Sequence, residues 1–137
     1  MGLEKGMRDY FLADNDVATL IGDRLYPRRA PQTAAKPYVV FNLISDVDLR
    51  VLRGYAGLTS ALYQLDVFAA TALAARAVGE ALFQAIGRDG FKGTWDGVTV
   101  QLARWTDKRD DLVPPFAGDD VGIPQYSLDL AVWYVGT

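Results

Sequence analysis

Six aspartates stand in closely spaced pairs: Asp46 with Asp48, Asp110 with Asp111, and Asp119 with Asp120. Oxygen ligands of this kind suit a hard cation such as Mg²⁺ or Ca²⁺. Paired carboxylates can also perform acid–base work without histidine. The spacing is not that of an EF-hand loop, and the plainer reading is a solvated acidic surface. The chain contains no His and no Cys. That removes Ser-His-Asp arrangements, imidazole metal ligands, cysteine nucleophiles, thiolate zinc sites and disulfides. Gly87, Gly90, Gly93 and Gly97 lack the following Lys-Ser/Thr of a phosphate cradle and precede a strand, so they read as tight turns. No cofactor is implied. The one enzymatic alternative is a small carboxylate-based, metal-dependent hydrolase working from Asp107–Pro124.

The basic and apolar residues suggest contact surfaces instead. Arg28, Arg29, Arg50 and Arg53 can touch phosphates, pair with acids on a neighbouring subunit, or sit in water. An acidic stretch on the same chain favours pairing between subunits over DNA contact, and such pairs set register more than affinity. Leu49, Leu52 and Tyr55 form either an exposed arm that docks on a partner or packing over a sheet edge. Trp133 falls on the polar-looking face of its strand and fits an interface or a core equally. Phe68 sits on a similar face and is assigned to the core. Net charge is −3, with the acids concentrated late in the chain. Tight phosphate-driven DNA binding needs the opposite sign.

These residues need a scaffold. A chain of 137 residues, half of them hydrophobic, is read as one domain over residues 1–137. No apolar run is long enough to span a bilayer, and the N-terminus lacks a signal-peptide core. The stretch from Ala61 to Gly87 organises the rest. Tyr63, Leu65 and Val67 alternate with Gln64, Asp66 and Phe68 as in a half-buried strand. From Thr71 the period becomes helical, with Thr71 as N-cap and Gly87 as terminator of a long Ala-rich helix. Leu3–Ala13 reads as a first helix. A second, capped by Asn15, ends at Gly22. Arg24–Tyr26 reads as a short edge strand and Arg28–Lys36 as a loop. Tyr38–Ser45 is a strand that is central in its sheet or covered on both faces. Asp46–Ser60 is a strand extension or a mobile arm. Arg88–Asp96 is a turn-rich link, Val98–Trp105 a strand, Asp107–Pro124 a long polar loop and Gln125–Val135 a closing strand. The expected fold is α+β: a mostly antiparallel sheet of about four main strands. The N-terminal helices and one long Ala-rich helix pack on one face.

Four motifs in this order resemble the tail-completion family of long-tailed bacteriophages, whose members are also called tail terminators or head–tail joining proteins. The first is Gly22, Arg24, Leu25, Tyr26 and Pro27. The second is Pro31, Gln32, Pro37, Tyr38, Val39 and Val40. The third is Gln64, Asp66, Val67, Phe68 and Ala69, running into the Ala-rich helix. The fourth is the alternating strand Leu128–Val135. The resemblance implies a structural, non-enzymatic subunit of a ring, typically of six copies. Such a ring caps the tail tube and joins it to the neck or head–tail connector proteins. DNA passes through its lumen without specific binding. The implied location is the virion, at the tail–neck junction, after assembly in the host cytoplasm. Gene transfer agents use similar proteins. In such a ring Asp107, Asp110, Asp111, Asp119 and Asp120 would face the channel and keep DNA from sticking.

Overall fold

The computed structural model describes residues 2–31, 34–51, 54–113 and 123–135. In chain order the elements are α1 (Leu3–Leu12), α2 (Asn15–Ile21), β1 (Leu25–Pro27), β2 (Tyr38–Val51), β3 (Gly54–Phe68), α3 (Ala72–Ile86), β4 (Phe91–Trp95), β5 (Val98–Val113) and β6 (Ile123–Val135). The strands form one sheet in the order β1-β2-β3-β6-β5-β4. β1 runs parallel to β2, and the other neighbours are antiparallel. The expected fold class is therefore corrected. This is a six-stranded mixed sheet curled into a half-barrel with three short helices, rather than a mostly antiparallel sheet of four strands under one long helix.

Three local causes account for the difference. Leu25–Pro27 joins the sheet as a parallel edge because Val39 N–H donates to Arg24 O and Arg28 N–H to Phe41 O. Pro27 is tolerated there because an edge strand need not donate from every residue. The turn-rich link holds a strand, β4, folded back on β5 by a two-residue turn at Asp96 and Gly97. Both turn residues have positive φ, 47° and 83°, as an Asp-Gly hairpin turn requires. Asp107–Val113 belongs to β5 rather than to a loop, pairing with β6 as far as Val113 opposite Ile123.

Asp14, not Asn15, caps α2, accepting from the N–H groups of Asp16 and Val17. Thr71 caps α3 by accepting from Ala74 N–H, and Gly87 ends it. All three helices lie on one face of the sheet. There Phe11, Val17, Ile21, Val78 and Leu82 meet Val39, Leu65, Val67, Leu128, Leu130 and Val132 in a single core. α3 packs on β3, β5 and β6, and α1 on β4. A bulge in β5 between Val100 and Leu102 exchanges faces. Ala103 consequently takes the core place that alternation assigns to Leu102. None of the helices described is long and apolar enough to cross a membrane.

Candidate assembly surfaces

On the sheet face away from the helices, an aromatic and arginine groove surrounds the start of β2. Tyr38 stacks on Phe68 at 5.2 Å between centroids, and Tyr26 meets Tyr38 edge-on at 6.3 Å. The pairing follows from register, since Tyr38 lies directly opposite Phe68. Phe68 is therefore not in the core; it is half-buried on the opposite face. Arg28 and Arg29, both exposed, flank a groove of about 310 Å³ with Tyr38, Val40, Asn42, Asp66 and Phe68. Arg28 holds φ 68°, which turns the chain sharply as it leaves β1. The floor is polar. Asp66, almost fully buried, accepts from Ser127 Oγ at 2.7 Å and from Gln64 Nε2 at 2.8 Å. Those donors satisfy a carboxyl group that is almost fully buried beneath the aromatic rings and arginines.

A second polar group lies along β5 and β6. Arg109 donates to Asp107 at 2.8 Å and Asp129 at 3.1 Å, and the Asp129 carboxylate raises the guanidinium pKa further. Lys108 sits 4.0 Å from the centroid of the Phe83 ring and 3.9 Å from Glu80. Trp133 is half-buried, with the Arg104 guanidinium 5.9 Å from its ring. Asp107 and Asp110 are exposed on β5, and Asp111 pairs along the backbone with Gln125. Asp119 and Asp120 lie outside the described residues.

The β2–β3 hairpin forms an arm. Thr59 is the last β3 residue opposite β6, so Gly54–Leu58 pairs only toward β2. The uncertain stretch Asp46–Ser60 is thus a strand extension over its described residues. Arg50 pairs with Tyr55 in this ladder and Leu49 falls at the irregularity between Asp48 and Arg50, whereas Leu52 and Arg53 lie outside the described residues. The apolar residues seen exposed sit earlier, at Leu43 (45%), Ile44 (53%) and Val47 (54%). The sequence suggests a strand over Tyr38–Ser45 that is central or covered on both faces, and β2 does lie between β1 and β3. Cover on both faces holds only for Val39–Phe41, beside β1.

The aspartate pair at the base of the arm serves hydroxyls. Tyr134 OH donates to Asp46 at 3.1 Å and Thr59 Oγ1 to Asp48 at 3.0 Å. Tyr63 OH reaches Glu4 at 3.4 Å, and burial, with the Glu4 carboxylate, pushes the phenol pKa well up. Among the described residues no group of three or more His, Cys, Asp or Glu converges. Residues 114–122, half of the stretch that the hydrolase alternative uses, lie outside the described residues. Asp107 is held by Arg109, and Asp110 stands exposed on a strand rather than over a cleft.

Comparison with known proteins adds three findings. The family described as Tail completion protein gp17 matches residues 5–116. A solved chain from the virion of a native gene transfer agent particle superposes with a TM-score of 0.73 at 17% identity, covering 95% of this chain and 92% of that one. A second solved structure gives a TM-score of 0.52 at 15% identity, covering 100% and 98%. At such identities the two structures speak to the fold. No curated protein matches.

Proposed function

Because the chain belongs to the Tail completion protein gp17 family, we propose that it is one subunit of an oligomeric ring that caps a tail tube. It is a structural component of a tailed particle, and in this reading it joins the tube to the neck or connector proteins. The family match over residues 5–116 carries the reading. The β2–β3 arm, which extends past β6, supports it by giving the subunit a projecting element with which to reach a partner. Six copies is the number the family resemblance implies. DNA passes through the lumen without a specific site, which suits net charge −3 and the exposed Asp107 and Asp110.

Native mass spectrometry of the purified protein, alone and with isolated tail tubes, tests this. A closed ring, free or on tube ends, is the expected result. A strict monomer that leaves tube ends bare overturns it. The tube end imaged by electron microscopy then gives the stoichiometry.

A further inference from the structure

Among the described residues, β2 and β5, the strands next to the outermost ones, each carry a long stretch that is bare on its outer side. β1 covers β2 only as far as Phe41, and no described strand pairs with that side of residues 42–51. β4 covers β5 only between Val98 and Ala103, and no described strand pairs with that side of residues 104–113. No backbone hydrogen bond of a turn or loop among the described residues caps either stretch. A long bare edge is a template for strand addition, and soluble proteins blunt it with charge, proline or a bulge. The bare stretch of β2 is blunted only in part, by irregularities between Leu43 and Ser45 and between Asp48 and Arg50. It carries exposed Leu43, Ile44 and Val47, with charge on its described side chains only at Asp46 and Asp48.

We propose that copies of this chain join by strand addition, the bare edge of β2 in one copy pairing with the bare edge of β5 in the next. This rests on the ring reading and names its interface. β2 and β5 lie on opposite lateral sides of the sheet, so the contact is head-to-tail and propagates until rotation closes it. The two strands run in opposite directions within one copy. β2 starts opposite Phe68 and the end of β5 lies opposite Gln125, which itself faces Phe68. Two copies set side by side in the same orientation therefore present them antiparallel. Both bare stretches are the C-terminal parts of their oppositely directed strands and so lie at opposite ends of the sheet, and neighbouring copies are therefore staggered along the strand direction, as strands are in a closed barrel. Net charge is −1 over residues 42–51 of β2 and 0 over residues 104–113 of β5, so charge does not oppose the match. The pairing would place Val47 against the stems of Arg104 and Arg109.

The absence of cysteine makes crosslinking a clean test. Val47 lies opposite Ser60, which lies opposite Trp133; Ala131, Asp129 and Ser127 of the same strand lie opposite Arg104, Asp107 and Arg109. Val47 thus shares a sheet face with Arg104, Asp107 and Arg109. Three double variants sample the register: Val47→Cys with Arg104→Cys, with Asp107→Cys or with Arg109→Cys. Within one copy the two edges are three strand spacings apart, about 14 Å, too far for an internal disulfide. Oxidation of the native assembly should give a ladder of covalent multimers in at least one double variant, and nothing beyond dimer in each single variant. Val47→Lys should shift the assembly to monomer with an unchanged circular dichroism spectrum. If native mass spectrometry shows a ring while all three double variants stay uncrosslinked and Val47→Lys still assembles, the edge pairing is wrong and the ring stands. Crosslinking of Val47→Cys to a tail-tube subunit in place of a second copy would also overturn it. Absence of any ring, with or without tubes, overturns the parent reading instead.

Discussion

Gly79 lies on the face of α3 that meets β6, and a Cβ there would collide with the ring of Tyr126. Glycine inside a helix ordinarily costs about 0.5–1 kcal/mol relative to alanine. Here the sign reverses, because the missing methyl lets helix and sheet approach. Gly79→Ala should destabilise by about 1–3 kcal/mol, read as a lowered urea midpoint. Tyr63 carries a different prediction. Burial first, and Glu4 second, raise its pKa above the ordinary 10.0. Below pH 10 the phenol is protonated in folded and unfolded chains alike, so its contribution is complete. Above that, the unfolded chain ionises first and binds fewer protons than the folded one. Stability then falls as pH rises, by up to about 1.4 kcal/mol per unit. Tyr10 and Tyr126 shift the same way, so Tyr63→Phe should lessen the alkaline slope without abolishing it. Urea midpoints between pH 9 and 12 would show it, and an unchanged slope would count against the assignment. Neither property is written in the sequence. Gly79 reads as a flaw in a helix until β6 is placed against it, and Tyr63 acquires its acceptor from α1.

At the scale of elements, α3 was the most legible part of the chain. Thr71 and Gly87 mark its ends, and the structure places both where the local pattern does. Thr71 Oγ1 accepts from Ala74 N–H at 3.1 Å, so Thr71→Ala should cost about 1 kcal/mol in urea denaturation. The cap lies outside the groove and both bare edges, so the same variant should assemble normally. β4 was legible and overlooked. The Asp96–Gly97 pair between Trp95 and Val98 is a strong short-range hairpin signal, but the nearby glycines made the whole segment look like turns. Asp107–Val113 was misread for another reason. Its charges suggest a loop, yet backbone pairing with β6 holds a strand whatever its side chains, provided their heads reach water. Lys108 over Phe83 shows how a charged residue sits there comfortably.

For the whole molecule, Arg28 and Arg29 stand at the rim of the aromatic groove with no role in the core. The double change Arg28→Glu and Arg29→Glu should leave Tm within about 2 °C, since exposed charges contribute little to folding. It should weaken subunit association, read by sedimentation as a roughly tenfold or greater rise in dissociation constant. Unaltered assembly would mean that the groove faces solvent in the proposed ring. Added salt should weaken the wild type in the same direction, because rim charge pairs are screened.

Alternation and helical period in the sequence were enough to identify β3, α3 and β6 and their buried faces, because a core face must be apolar wherever the element lies. Motif order was enough to point to the tail-completion family before any coordinates. The number of strands, the parallel edge at β1 and the two bare edges were decided only by tertiary pairing. Which strand lies beside which depends on hydrogen bonds between backbones, and these carry no side-chain signature. The exposed faces of β2 and β5 could therefore be located only once the sheet had closed on the helices and left those two edges open.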